Sequence, residues 1–186
     1  VIVNAGDGTH EHPTQALLDM MSIKEKFGRI EGLNIGILGD ILHSRVALSN
    51  IYGLVKMGAN VKVCGPPHLI QKNIEILGIE KTYNVDELIE WADAINVLRI
   101  QRERMGVGII PSIREYRDFF GITNERLNNH KKDLVIMHPG PMNRGVEIDS
   151  EVADGDQAII LDQVLNGVAV RMSVLYLLLG GGEFEK

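Results

Sequence analysis

Four short segments of this 186-residue sequence carry residue types suited to small polar ligands. The first is Gly6-Asp7-Gly8-Thr9-His10-Glu11-His12-Pro13-Thr14-Gln15. His12 stands where a helix should begin and Gln15 follows one turn later, so both face the loop above and can meet one small polar molecule. His10, Glu11 and His12 invite a metal reading. However, His10 and His12 diverge in extended chain and no other His-rich or Cys segment adds ligands, so no metal is expected. The second segment is Gly39-Asp40-Ile41-Leu42-His43-Ser44-Arg45. A dinucleotide fingerprint starting at Gly36 would need glycines where Leu38 and Ile41 stand, so no nucleotide cofactor, or any other cofactor, is expected. Arg45 in a helix's first turn opposes the helix dipole, which a guest anion would offset; a solvated surface arginine is the plainer alternative.

The third segment is Arg99-Ile100-Gln101-Arg102-Glu103-Arg104. In extended chain Arg99, Gln101 and Glu103 share a side, which aims a guanidinium fork and an amide at one place and lets Glu103 brace Arg99. That suits a carboxylate ligand; a solvated charged face is the competing reading. The fourth, His138-Pro139-Gly140-Pro141, has two prolines that remove N–H donors and stiffen a turn. Its exposed carbonyls could accept from an amine or an NH2 group, or the turn could be a rigid chain reversal.

The surrounding pattern says what positions these segments. Pro13 to Phe27 reads as a helix, followed by strand Leu33 to Leu38, helix Ser44 to Met57 and strand Val61 to Cys64. A helix over Leu69 to Leu77 and an extended piece at Lys81 to Tyr83 follow, then a helix capped by Asn84 and strand Ala94 to Leu98. After a loop from Arg99 to Pro111, Ser112 and Thr123 open two further helices before strand Leu134 to Met137. An irregular stretch reaches Gln157, and a long helix runs from Ile159 to Leu179. Continuously apolar strands alternating with helices define an α/β fold with a doubly wound parallel sheet flanked by helices. Ligands bind such sheets beyond the strands' carboxyl ends, where three of the four segments lie.

Composition narrows the field. A net charge of -6 disfavours a nucleic-acid partner, and the lone Cys64 fits a reducing, cytoplasmic setting. The apolar stretch Val164 to Leu179 is broken by Asn166, Gly167 and Arg171, so it reads as a buried helix, with no membrane association.

Together, GDGTHEHPTQALLD at Gly6 to Asp19, HSRVALSN at His43 to Asn50, RIQRER at Arg99 to Arg104 and HPGP at His138 to Pro141 resemble the aspartate carbamoyltransferase family. Ornithine-type relatives typically carry SMG where this chain has Arg99-Ile100-Gln101, and a cysteine in the HPGP position. The resemblance implies carbamoyl transfer from carbamoyl phosphate to L-aspartate in pyrimidine biosynthesis. It assigns Arg45, Arg99 and Gln101 to the aspartate carboxylates, with Glu103 orienting Arg99. His12 would bind the carbamoyl oxygen, and Gln15, with the carbonyls of Pro139 and Gly140, would position the carbamoyl NH2 and the attacking amine. Alternatives are a carbamoyltransferase for another amino acid or a non-catalytic dicarboxylate-binding domain.

Family members also have an amino-terminal domain with a Ser-Thr-Arg-Thr-Arg phosphate loop, which none of these residues resembles. Residues 1–12 are therefore expected to be a remnant of that carbamoyl-phosphate domain, with Val1 to Val3 as its last strand. Residues 13–28 would be an interdomain helix, 29–157 the aspartate-binding domain, and 158–186 a carboxy-terminal helix docking on the amino-terminal domain. The resemblance further implies trimers of full catalytic chains, some with a regulatory chain or dihydroorotase as partner, and an isolated chain inactive by itself. Exposed apolar docking faces predict that the free chain self-associates; a monodisperse monomer by light scattering would contradict this.

Overall fold

The computed structural model describes residues 1–100, 112–129 and 133–180. Among them lie five strands, of which all but the edge strand β3 are largely apolar: β1 (Asn34–Leu38), β2 (Asn60–Cys64), β3 (Glu80–Thr82), β4 (Ala94–Val97) and β5 (Val135–Met137). All pairings are parallel, in the order β3-β2-β1-β4-β5. The chain winds outward from β1 to β3, then crosses back to β4 and continues to β5. The carboxyl ends of β1 and β4 thus frame the crevice where doubly wound sheets bind ligands. The turns leaving those two strands carry Arg45 and Arg99.

Helices cover both faces, as crossover connections between parallel strands require. They are α1 (Pro13–Phe27), α2 (Arg45–Lys56), α3 (Val85–Trp91), α4 (Ile113–Phe120), α5 (Asn124–Asn128), α6 (Ser150–Ala153) and α7 (Ile160–Leu178). Their starts are encoded locally. Pro13 occupies the first turn of α1, and the side chains of Ser44, Asn84, Ser112 and Thr123 accept backbone N–H groups of α2, α3, α4 and α5. Glu87 does not close a reciprocal box with Asn84. It accepts the Thr82 hydroxyl at 2.7 Å, and Thr82 Oγ1 takes the Asn84 N–H instead.

Strand alternation separates two cores. Ile35 and Ile37 of β1, with Val61, Val63 and Met137, pack beneath α1 and α2, whereas Leu38, Ile95, Val97 and Ile136 pack against Val85, Leu88 and Ile89 of α3. Cys64 lies fully buried in the second core, and desolvation there pushes its thiol up to about 12.

Four expectations change. Val1 to Val3 form no strand and Ile2 is 96% exposed, since no sheet edge lies alongside to pair their backbone. Leu69 to Leu77 is two 3-10 turns, Pro67–Leu69 and Ile74–Leu77, because a single apolar anchor in each, Leu69 and Ile74, gives no continuous stripe to bury. The stretch before Gln157 contains α6. The helix expected to be buried is largely exposed: Leu161, Val164 and Leu165 stand 82%, 64% and 70% open, and only Ile160, Gln163, Asn166 and Gly167 are covered. By length and composition alone α7 could cross a membrane. Its buried amides, Asp162 and Arg171 suit a protein interface better than lipid.

Two glycines let the turns leaving β1 and β2 lie against each other. Gly39 has φ +133°, and its N–H donates to Cys64 O at 2.9 Å. A Cβ on Gly65 would stand 2.2 Å from Gly39 O, so no side chain fits there without moving the turn that leads to Arg45. We predict that Gly65→Ala destabilises the fold by about 1–3 kcal/mol, as overpacking does, read as a lower urea midpoint at unchanged slope.

Candidate active site

The β1–α2 turn is organised from its first residue. Buried Asp40 accepts the His43 N–H at 3.0 Å and holds His43 Nδ1 at 3.0 Å, while Leu42 N donates to Leu69 O. Ser44 then caps α2 and delivers Arg45 as its first helical residue. The Arg45 guanidinium lies over Gly6, where a Cβ would come within 2.8 Å of Cζ and Nη1. Gly6, with φ +120°, meets both the conformational and the steric demand. Arg99 follows β4, and the next residue's carbonyl, Ile100 O, accepts Asn143 Nδ2 at 3.0 Å.

His12 occupies the N-cap of α1 but makes no capping hydrogen bond through its side chain. Its backbone N–H donates to Ser49 Oγ at 2.9 Å, and that hydroxyl donates to Glu11. Giving a cap position to a non-capping imidazole forgoes local stability, a pattern that marks functional positions. Thr14 Oγ1 lies 3.5 Å from His12 Nδ1. Desolvation lowers the His12 pKa below its ordinary 6.5, and the charges of Arg45 and Arg171 lower it further. The imidazole is therefore neutral at neutral pH and offers an N–H as an uncharged donor.

Gln15 is buried on the next turn, with Nε2 donating to Asp19 Oδ1 at 3.0 Å. At the fourth segment His138 N donates to Gln163 Oε1 at 2.9 Å, and Gly140 N donates to His138 Nδ1 at 2.8 Å. His138 Nε2 thus carries the ring proton. It faces Glu147 Oε1 at 3.4 Å, within electrostatic reach but without a hydrogen bond.

These elements converge. His12, Gln15, Ser44, Arg45, Val46, Arg99, Pro139 and Gly140 line one cleft of about 80 Å³. All six described candidate residues from the sequence meet there; Gln101 and Glu103 lie outside the described residues. A larger hollow of about 470 Å³ lies beside α4 and α5, but Arg126 there pairs with Asp86, and Arg117 with Asp149. Both of its arginines are already paired. Among the described residues Arg45 has no such partner, so the smaller cleft is the better anion site.

One buried charged group behind the cleft escaped the sequence reading. Asp19, with no solvent exposure, accepts from Gln15 Nε2, Gln163 Nε2 at 2.7 Å, Asn50 Nδ2 at 2.7 Å and Asn96 Nδ2 at 3.1 Å. Burial raises its carboxyl above the ordinary 3.8, against the opposing pull of these four donors. The available signal was polar residues at core positions: Asp19 on the apolar face of α1, and Asn96 inside the run Ala94–Val97.

The fold and cleft define a doubly wound α/β domain with a small arginine-lined cleft at its topological switch point. Residues 31–178 match the family model for the aspartate/ornithine carbamoyltransferase Asp/Orn binding domain, and the chain belongs to that family. It is 60% identical over 183 residues to the aspartate carbamoyltransferase catalytic subunit of Carboxydothermus hydrogenoformans, covering 98% of this chain and 59% of that one. The catalytic subunit of the M. jannaschii aspartate transcarbamoylase superposes with TM-score 0.77 at 35% identity, over 97% of this chain and 60% of that one. The Trypanosoma cruzi aspartate transcarbamoylase solved with aspartate and phosphate gives 0.76 at 29% identity, over 93% and 56%. The chain therefore spans somewhat under two thirds of the length of these relatives.

The lowered His12 pKa has a signed consequence. Unfolded His12 takes up a proton near 6.5 that the folded residue resists, so its contribution to native stability is present above 6.5 and lost as pH falls through the lower folded value. Thermal melts from pH 7.5 downward should show His12→Gln losing less stability than the unsubstituted chain; equal losses would remove the assignment.

Proposed function

We propose that the chain is the aspartate-binding part of an aspartate carbamoyltransferase, transferring the carbamoyl group of carbamoyl phosphate to L-aspartate and releasing phosphate. The convergence of Arg45 and Arg99 with His12, Gln15 and the Pro139-Gly140 turn in one polar cleft carries this reading. The names of the relatives supply the substrates.

In this mechanism Arg45 and Arg99, with Gln101, grip the aspartate carboxylates as charge-assisted forks, and Glu103 orients Arg99. Oxygens of Gln15 and of the Pro139-Gly140 turn accept from the carbamoyl NH2 and from the attacking amine. The amine nitrogen bonds to the carbamoyl carbon, the carbonyl oxygen gains negative charge, and the carbon–oxygen bond to phosphate then breaks. Phosphate departs with the bonding pair and takes up the proton that the nitrogen gives up. Neutral His12 donates to the developing oxyanion. Alignment of two substrates supplies about 7–11 kcal/mol, and one oxyanion donor about 3 kcal/mol.

We read residues 1–12 as the end of a carbamoyl-phosphate domain, 13–28 as an interdomain helix, 29–157 as the aspartate domain and 158–186 as a helix seated on the amino-terminal domain. The exposed apolar side of α7 supports that seat. A trimer of catalytic chains, a possible regulatory chain or dihydroorotase, a cytoplasmic setting and a place in pyrimidine synthesis belong to the same proposal.

The test supplies the chain with the amino-terminal half of the C. hydrogenoformans relative, fused or mixed, and assays carbamoyl transfer to aspartate, ornithine and acetylornithine. Aspartate should be the substrate. Transfer only to another amine, or none despite demonstrated association, would overturn the reading. His12→Ala should lower kcat by about 100-fold with little change in aspartate KM, whereas Arg99→Ala should chiefly raise KM. The reverse pattern would exchange the two roles.

A further inference from the structure

Asp19 stands behind the cleft wall, one helical turn beyond Gln15, and touches no ligand-facing surface. Its two oxygens receive four amide NH2 groups, from α1, α2, β4 and α7, and none of these neighbours offers an acceptor to a carboxyl proton. A carboxylate only accepts, so each amide must turn its nitrogen inward and its oxygen away. Two of those oxygens, Asn50 Oδ1 and Asn96 Oδ1, are left buried without a partner. Unpaired buried carbonyls are costly, so the inward demand of Asp19 outweighs what these amides would otherwise satisfy. Gln163 turns its oxygen outward to the His138 N–H. Gln15, held by the same Asp19 Oδ1, is left with Oε1 as its free arm where it lines the cleft.

We propose that Asp19 is a positioning residue that fixes the polarity of the Gln15 amide, so that Gln15 presents an acceptor, and not an NH2 group, to a ligand bearing N–H. This rests on the carbamoyl-transfer reading for the identity of that ligand group, and on the amide geometry alone for the polarity. The same carboxylate, through Gln163 and His138, orients the turn whose carbonyls face the cleft. One buried charge thereby sets the acceptor character of two walls. The opposite walls, Arg45 and Arg99, are donors only.

Asp19→Leu keeps the approximate size but removes both acceptor oxygens, so nothing holds the Gln15 NH2 group inward. In the chain assembled with the amino-terminal half, Asp19→Leu should lower kcat by about tenfold or more while aspartate KM changes less than about threefold. In a Gln15→Ala background the same substitution should change kcat by less than about twofold, because the group it acts through is gone. An unchanged kcat in folded Asp19→Leu, or an undiminished loss in the Gln15→Ala background, would overturn the proposal. A measurement on the unsubstituted protein needs neither turnover nor a folded variant. The side-chain NH2 signal of Gln15 in 15N spectra should be protected from solvent exchange and unshifted by added carbamoyl phosphate. Rapid exchange would overturn the polarity assignment. If the unsubstituted assembly transfers no carbamoyl group, the reading of function fails, and protection of this signal still judges Asp19.

Discussion

The fully buried carboxylate of Asp19 is the constraint on which the rest of the molecule turns. A charge in a core is tolerated only when its hydrogen-bonding capacity is met, and here four amides from four separate elements meet it. Those elements cannot slide independently without stranding a buried charge, so α1, α2, β4 and α7 are locked in mutual register. Packing alone would not achieve this. Contacts such as Leu18 against Gly167 are non-directional, whereas an amide donating to a particular oxygen fixes both position and orientation. Next along the α1–α7 seam, Asn166 continues the pattern by donating to Ser22 and to Glu25.

The cleft inherits its geometry from that lock and from the sheet's winding. Reversal of strand order between β1 and β4 opens the crevice, and the close passage of Gly39 against Gly65 lets the turns leaving β1 and β2 lie together. His12, Gln15, Arg45, Arg99 and the Pro139-Gly140 turn line that crevice. Desolvation is the chief cause of the lowered His12 pKa, and the charge of Arg45, which adds to it, also suits the site to anions. An overall charge of -6 does not oppose this, because the field in a cleft follows its own walls rather than the chain total.

The long helix α7 divides its duties along its length. Ile160, Gln163, Asn166 and Gly167 face inward and join the buried network, while Leu161, Val164, Leu165 and Val168 stand open. An apolar stretch of that extent on an otherwise polar surface is characteristic of a covered interface. The relatives are longer chains than this one, which gives that interface a natural occupant under the proposed function.

Much of the fold and most of the candidate site were legible in the sequence. Pro13, Ser44, Asn84, Ser112 and Thr123 mark helix starts because capping is local chemistry. The apolar runs at 34–38, 60–64, 94–97 and 135–137 mark strands because a doubly covered parallel strand needs both faces apolar. His12, Gln15, Arg45, Arg99, Pro139 and Gly140 were recognisable from residue type and spacing. Their meeting in one cleft was decided only by the tertiary structure, since it depends on which strands lie side by side. The same holds for Asp19. Asp19, Asn50, Asn96 and Gln163 lie up to 144 residues apart, and no local rule distinguishes a carboxylate on a helix face that meets solvent from one that meets four amides. The short 3-10 turns at 67–77 and the open side of α7 were decided the same way. Burial is a property of neighbours, and sequence spacing alone does not say which neighbours a face will have.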